Sequence, residues 1–234
     1  MNPIELKLSK LKDKNKAKLL AGFFKTGKGQ YGEGDIFWGI SVPDQRNVAK
    51  KFLDLSFIDL QYLLKNPVHE CRLTALLILT YRYEKAQKEN NFKIKKEIYN
   101  FYLKNIKYIN NWDLVDTSAP RILGEYLSLG DRKILYKFAK SKNLWEKRIS
   151  IISTLYFIKQ KDFVDTLKIS EILLSDKHDL IHKAVGWMLR EVGKMDEQVL
   201  HVFLQKHIKN MPRTALRYSI ERFSDESIKY YMSL

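Results

Sequence analysis

The segment His182-Lys183-Ala184-Val185-Gly186-Trp187 places a basic residue directly before an apolar run. Two further segments have the same order, Lys147-Arg148-Ile149-Ser150-Ile151-Ile152 and Pro212-Arg213-Thr214-Ala215-Leu216-Arg217. The basic residues of the three segments recur after 35 and 30 residues, at Arg148, Lys183 and Arg213. Such spacing is close to the length of one helical hairpin in a solenoid, where each pair of helices stacks on the next.

Hydrophobic periodicity extends this pattern to the rest of the chain. Apolar residues recur at i, i+3, i+4 and i+7 in nearly every segment, and alternation over a strand length is almost absent, which predicts an all-α fold. We expect a curved solenoid of HEAT-like antiparallel helix pairs, an α–α superhelix, because the ankyrin and tetratricopeptide signatures are absent. Residues 1–234 are predicted to form a single domain of this kind. Candidate helices include residues 3–24, 68–86, 112–128 and 178–194.

The charge balance indicates the kind of partner. Among 234 residues, 42 are Lys or Arg and 27 are Asp or Glu, which gives a net charge of +15 and favours a phosphate-rich partner. DNA, RNA and an anionic membrane all match that sign. The N-terminus lacks the apolar core of a signal peptide and no segment is long and apolar enough to span a bilayer, so we expect a cytoplasmic protein without a membrane partner. The single cysteine, Cys71, is expected to be a core residue.

Two patterns resemble binding motifs without their required context. The Gly-rich loop, residues 25–35, holds four of the ten glycines, but it lacks the strand and the Gly-Lys-Ser/Thr of a phosphate-binding loop. A flexible loop near the mouth of the solenoid is the favoured interpretation. His178 and His182 have a spacing compatible with a metal, yet no Glu or Cys pair accompanies them. We therefore expect neither a metal nor a cofactor.

The segment Asn110-Asn111-Trp112-Asp113-Leu114-Val115-Asp116 combines an aromatic ring with carboxylates at a predicted helix start. Trp112 and Asp116 lie one turn apart and share a face, so together they could hold a cation or a developing positive charge. A structural explanation is also open, because acids favour the first turn of a helix and Asn111 can cap it. Pro120 predicts a kink beyond this pair.

A second cluster lies at positions i, i+4, i+7 and i+11 of one predicted helix, formed by Lys183, Trp187, Arg190 and Lys194. Cations that bind phosphates around an aromatic surface are typical of a nucleic-acid groove. Alternatively, the tryptophan is a core residue with snorkelling neighbours. Further basic residues project from other repeats, at Arg148, Arg213 and Arg217, and would contact the DNA backbone without reading sequence.

The motif Trp112-Asp113-Leu114-Val115-Asp116, together with Arg148 and the later Gly186-Trp187-Met188-Leu189-Arg190-Glu191, resembles the AlkD-like family of DNA alkylation repair glycosylases. The likeness covers most of the chain. It implies a monofunctional DNA N-glycosylase, a hydrolase of base excision repair, that removes cationic N3- and N7-alkylated purines from duplex DNA. It also implies that Asp116 is the catalytic carboxylate, that Trp112 and Trp187 are its aromatic partners, and that Arg148 contacts a phosphate.

The resemblance is incomplete at two places. The family's best-studied members carry an aromatic residue where this chain has Asn111, and the Gly-rich loop indicates a different branch, so the preferred lesion stays open. The expected partner is double-stranded DNA containing alkylated bases, bound by a monomer without cofactor that associates with the nucleoid. One alternative is a non-catalytic HEAT-repeat protein that binds damaged or branched DNA, and another is a helical-repeat scaffold for proteins.

Overall fold

The computed structural model describes residues 2–234, which are folded into packed α-helices. The prediction of an all-α fold is confirmed, since the described residues form no sheet and only an isolated bridge joins Ile36 to Val68. The chain divides into two compact units, which we call unit 1 and unit 2; the first ends at Ile122 and the second begins at Leu123.

Unit 1 has a long central helix with shorter helices packed around it. Its helices are α1 (Pro3–Ser9), α2 (Lys14–Phe23), α3 (Val42–Ala49), α4 (Phe57–Leu64), α5 (His69–Lys88), α6 (Phe92–Lys104) and α7 (Trp112–Ala119). Helices α3, α4, α6 and α7 all pack on α5. For this reason α5 is buried on nearly every side rather than along one stripe.

The N-terminal helix is broken where the sequence predicted one continuous helix over residues 3–24. Helix α1 ends at Ser9, and Asp13 starts α2 by accepting hydrogen bonds from the backbone N–H groups of Asn15 and Lys16. The apolar spacing continues through Leu8 and Leu11, so periodicity alone does not reveal the break. An aspartate at the N-cap supplies the acceptor that the first turn of α2 needs.

Cys71 lies on α5 and has no exposed surface, as the sequence predicted. Burial raises the pKa of its thiol to about 12, and the nearby carboxylates of Glu5 and Glu70 add to that shift. A thiol with so high a pKa is protonated at neutral pH and therefore a poor nucleophile.

The predicted irregularity at Pro120 is present as a π-helix from Pro120 to Gly124, directly after α7. Proline has no N–H to donate to the carbonyl of Asp116, four residues earlier, so the regular α-helical hydrogen bonding ends there. The boundary between the two units falls within this wide turn. Helix α7, with Trp112 and Asp116, thus forms the last helix of unit 1.

Unit 2 also has a long central helix. Its helices are α8 (Glu125–Leu127), α9 (Lys133–Ala139), α10 (Leu144–Ser153), α11 (Leu155–Lys159), α12 (Val164–Leu173), α13 (Asp179–Met195), α14 (Glu197–His207), α15 (Arg213–Ser219) and α16 (Asp225–Ser233). Helix α13 packs on α10, α12 and α14 and most extensively on α15. No helix among the described residues is long and apolar enough to cross a membrane.

Two close helix contacts in unit 2 recur with the same spacing. A Cβ atom at Gly124 would lie 2.3 Å from the Ser153 carbonyl oxygen, and one at Gly186 would lie 2.5 Å from the Ala215 carbonyl oxygen. In each case the β-carbon of a tyrosine three residues beyond the carbonyl, Tyr156 or Tyr218, closes the other side. Both glycines therefore allow two backbones to approach more closely than any side chain would permit.

The contact at Gly186 gives a stability prediction. Replacing Gly186 by Ala forces the rigid Ala215 carbonyl to move, so we expect the free energy of unfolding to fall by about 1–3 kcal/mol in urea titrations. Gly22→Ala is the matched control, because a Cβ atom at Gly22 meets nothing within 4 Å and alanine is the better helix former. Equal stability of Gly186→Ala and wild type would contradict the close contact between α13 and α15.

Candidate functional site

The first turn of α7 carries the predicted aromatic and acidic pair. Asn111 is the N-cap residue, and its side-chain oxygen accepts a hydrogen bond of 2.8 Å from the Trp112 backbone N–H. Trp112 and Asp116 follow one turn apart, and both side chains are half-buried. Because α7 packs on the buried helix α5, this turn has a fixed position within unit 1.

Aromatic residues from the N-terminal part of unit 1 surround Trp112. The Phe24 ring stacks on the Trp112 ring with 5.2 Å between centroids and an interplanar angle of 14°. Phe23 meets Trp112 edge to face at 5.9 Å. The stack continues from Phe24 to Phe37 at 4.9 Å and from Phe37 to His69 at 4.6 Å. Sequence analysis missed this column, since its members come from segments with no common periodicity.

A buried hydrogen-bond network lies at the end of that column and fixes the start of α7. His69 contacts two carboxylates, Asp35 through Nδ1 at 2.9 Å and Asp113 through Nε2 at 2.7 Å. Asp35 also accepts hydrogen bonds from Arg72 at 2.5 Å and from the Asn111 amide at 3.0 Å. The network therefore joins the end of the Gly-rich loop to the first turns of α5 and α7.

The charges of the network balance, which is what burial requires. Burial alone would lower the pKa of His69, but the charge of Asp113 and the hydrogen bonds to Asp113 and Asp35 raise it to about 9. Burial would likewise raise the pKa of Asp35, yet the hydrogen bond from His69 and the charge of Arg72 hold it below its ordinary value. A protonated imidazole donates from both ring nitrogens, so each carboxylate receives a charge-assisted hydrogen bond.

A neighbouring carboxylate, Glu70, holds the chain that leads from Asp35 to α3. It is almost fully buried and accepts hydrogen bonds from the backbone N–H groups of Trp38, Gly39 and Ile40 at 2.8–3.2 Å. Gly39 has φ of +80°, a conformation that favours glycine, and a Cβ atom there would lie 2.1 Å from the Asp13 carbonyl oxygen. This irregular segment is therefore held in one conformation.

Asp113 has a structural role in unit 1 that sequence analysis did not foresee. Besides contacting His69, its side chain accepts a 2.9 Å hydrogen bond from the Leu114 backbone N–H at the start of α7. Spacing pairs Trp112 with Asp116 and indicates no long-range partner for Asp113. Neither Asp35 nor His69 carries a sequence signal either, since they lie 34 residues apart and at no motif spacing.

Asp116 lies beside a buried hydroxyl pair. The Ser118 hydroxyl donates to the Leu114 carbonyl at 2.6 Å, so the Tyr102 hydroxyl donates to Ser118 Oγ at 3.0 Å. Burial raises the pKa of Tyr102, and the charge of the Asp116 carboxylate also favours the protonated phenol. Tyr102 is therefore a neutral neighbour of Asp116 at physiological pH.

The predicted basic stripe lies on α13, but acidic side chains pair with its cations. Lys183 bonds Asp179 at 2.7 Å, and Lys194 bonds Glu191 at 2.8 Å. The Trp187 indole N–H also donates to Glu191, at 3.1 Å, and the ring is half-buried. Arg190 contacts Glu221, which lies just beyond the end of α15. These pairs reduce the positive charge that the sequence pattern implied for this face.

The other predicted DNA contacts differ in exposure. Arg148 is only 5% exposed and donates to the Leu180 carbonyl at 2.7 Å, which gives it a role in joining α10 to the start of α13. Arg213 is exposed and donates to the Met232 carbonyl, while Arg217 is exposed on the next turn of α15. Buried Arg72 of unit 1 also bonds backbone carbonyls. The recurring basic residue of the sequence pattern is thus largely a carbonyl-binding arginine, and DNA contact by Arg148, Arg213 and Arg217 stays a prediction.

The two histidines with metal-compatible spacing have other partners. His178 caps α13 by accepting from the Leu180 backbone N–H, and His182 contacts the Asp176 carbonyl at 2.6 Å. Within residues 2–234, no group of three or more His, Cys, Asp or Glu side chains is arranged to hold a metal ion.

The buried network predicts how stability depends on pH. His69 has a folded-state pKa of about 9 against 6.5 when unfolded, so its contribution is complete below pH 6.5 and is lost as the pH rises through 9. We expect the free energy of unfolding to fall by roughly 3 kcal/mol over that interval. Urea titrations across the pH range measure this loss, and His69→Gln, which does not titrate, should show little of it.

A direct check on that prediction is the NMR titration of the His69 ring in the folded protein. A midpoint near 6.5 would show that the ring does not bridge two carboxylates. The same conclusion would follow if the free energy of unfolding depended on pH in the same way in wild type and in His69→Gln.

The comparisons with known proteins agree with this architecture. A family model described as DNA alkylation repair enzyme matches residues 4–223. A solved structure described as a predicted DNA alkylation repair enzyme from Enterococcus faecalis has the same fold, with a TM-score of 0.71 and 16% identity over 92% of this chain and 97% of that one. No curated protein matches. Because the family model spans nearly the whole sequence, the chain belongs to the DNA alkylation repair enzyme family.

Proposed function

We propose that this protein is a monofunctional DNA glycosylase that hydrolyses the N-glycosidic bond of cationic N3- and N7-alkylated purines in duplex DNA. The observation that carries the proposal is the pairing of Asp116 with Trp112 on one face of α7, in a turn held by the buried network around His69. The family membership of the chain and its net charge of +15 support a role on damaged DNA.

The chemistry needs little more than a carboxylate at the correct place. A purine alkylated at N3 or N7 is positively charged and leaves with the electron pair of the glycosidic bond, so no acid has to protonate it. The sugar becomes an oxocarbenium ion, which the Asp116 carboxylate would stabilise electrostatically. Water then adds to the anomeric carbon, and the same carboxylate can orient it and accept its proton.

The two tryptophans would bind the cationic nucleotide through their π faces. Such contacts contribute about 0.5–2 kcal/mol each when the cation is desolvated. The stack of Phe24 on Trp112 supports this role, because it fixes the indole plane. Trp187 is half-buried on α13 and held by Glu191. The protein would act as a monomer without a cofactor, in the cytoplasm.

Asp116→Asn is the decisive variant for catalysis. It preserves shape but removes the negative charge, so we expect the single-turnover rate of N7-methylguanine release to fall by roughly two to three orders of magnitude, with duplex affinity unchanged or higher. Abasic sites are scored by alkaline cleavage of a duplex containing one lesion. Strand breaks should require the alkali, since a monofunctional enzyme leaves the backbone intact.

Asp131→Asn is the matched control, because Asp131 is exposed and its polar contacts among the described residues are with nearby Lys133. Asp113→Asn is a poor control, since it would leave His69 without its strongest acceptor. Excision by Asp116→Asn at the wild-type rate would show that another residue is the catalytic carboxylate. A wild-type protein that binds the duplex but releases no base would favour the non-catalytic DNA-binding alternative.

Trp187→Ala separates a contact residue from a core residue. Trp187 is half-buried and its indole N–H bonds a surface carboxylate, so its removal should cost much less than the about 3–5 kcal/mol typical of a buried tryptophan. We expect a lower excision rate with a small change in melting temperature. A large drop in melting temperature with a normal rate per folded molecule would assign Trp187 to the core.

A further inference from the structure

Helix α2 differs from the other long helices of unit 1 because none of its ten residues is buried. Leu19 is 72% exposed and Phe23 is 64% exposed. A short helix usually depends on a buried apolar face for its stability, and α2 instead turns two large apolar side chains outward. Such exposure is unusual where it is not used for binding.

The inner side of α2 is identified by its contacts with the segment before α3. The Asp13 backbone N–H donates to the Trp38 carbonyl at 2.9 Å. A Cβ atom at Gly39 would lie 2.6 Å from the Ala17 backbone nitrogen, so this part of the helix lies directly on the segment held by Glu70. The side of α2 that carries Ala17 therefore faces the protein.

The exposed surface of α2 combines charged with apolar side chains. At about 100° per residue, Lys14 and Lys18 form one row on the helix, and Leu19 and Phe23 form a second row about 140° further around the helix axis. Both lysines are exposed, and among residues 2–234 the structure gives neither an ion pair. They contrast with the cations of α13, which are paired with acids.

Gly22 lies between those two rows, and nothing among the described residues packs against its Cα. A Cβ atom there would meet nothing within 4 Å, and the residue is in ordinary helical conformation. Glycine within a helix costs about 1 kcal/mol relative to alanine, so a packing or binding reason is expected. A glycine on an exposed face lets another backbone approach the helix closely.

The exposed face of α2 adjoins the proposed active site. Phe23 contacts the Trp112 ring edge to face at 5.9 Å. The Gly-rich loop continues from the helix and adds Lys25 and Lys28, which are exposed and have no ion pair among the described residues. Four exposed lysines without an ion pair among the described residues thus lie on α2 and the loop that follows it, the part of unit 1 that contacts Trp112.

We propose that the exposed face of α2, together with Lys25 and Lys28, binds the sugar–phosphate backbone of duplex DNA beside Trp112. The lysines pair with phosphates, and Leu19 and Phe23 cover the deoxyribose edge, where Gly22 allows close approach. The proposal rests on the proposed function for the identity of the nucleic acid. An anionic membrane is disfavoured, because only two large apolar side chains are available for insertion.

The first test is the double variant Lys14→Gln/Lys18→Gln, with Lys50→Gln/Lys51→Gln as a control from two other exposed lysines of unit 1. The dissociation constant for an unmodified duplex is measured as a function of salt. Two lost phosphate contacts should weaken binding about tenfold or more at low salt and reduce the slope of log K against log salt by about 2. The control should keep the wild-type slope.

Gly22→Gln tests the close approach without changing charge. Glutamine is a better helix former than glycine and space is open at this position, so the free energy of unfolding should be unchanged or higher. Duplex binding should nevertheless weaken several-fold. Because the variant is at least as stable as wild type, a loss of affinity cannot come from unfolding.

The outcomes distinguish this surface from the proposed function. Unmodified duplex requires no base release, so weaker binding by both variants supports the surface even if wild type excises nothing. Excision by wild type with unchanged duplex binding in both variants would overturn the surface and leave the glycosylase proposal intact. Binding of wild type to anionic phospholipid vesicles that the lysine variant loses, while duplex binding is unchanged, would assign α2 to a membrane and overturn the proposal.

Discussion

The His69 ring bridges the carboxylates of Asp35 and Asp113, and the site of unit 1 depends on this bridging contact. Helix α5 supplies the histidine, α7 supplies one carboxylate, and the end of the Gly-rich loop supplies the other. Since the side chains of His69 and Asp35 are buried, leaving either one unpaired would place an uncompensated charge in the interior. The same contact orders three chain segments that lie far apart in sequence, and the Trp112–Asp116 face follows from that order.

The two carboxylates of the motif have different surroundings. Asp113 belongs to the buried network. Asp116 follows three residues later on the same helix, where it is half-buried and lies next to the neutral phenol of Tyr102. Two acids of one motif thus have different environments, as the proposed function requires of one structural and one reactive carboxylate on the same helix. Mutational surveys of such a motif would find both positions sensitive, for unrelated reasons.

The structural features that were predicted from the sequence are those that depend on local patterns. The start of α7 at Trp112, its cap at Asn111 and the irregularity at Pro120 all followed from residue type and spacing. The sequence could not predict the partner of an isolated histidine or aspartate, because long-range pairs such as His69 with Asp35 leave no periodic signal. The sequence also could not show that Asp179 and Glu191 pair with the lysines of the stripe around Trp187. The spacing of the basic residues does not reveal which acidic side chains lie within reach of them.

The π-helix after α7 has a consequence for how the chain accommodates change. A π turn holds one residue more than an α turn, so the side chains that follow it are rotated by roughly 100° relative to an uninterrupted helix. A single-residue insertion or deletion within residues 120–124 would rotate the helical residues that follow, Glu125–Leu127, by about the same angle.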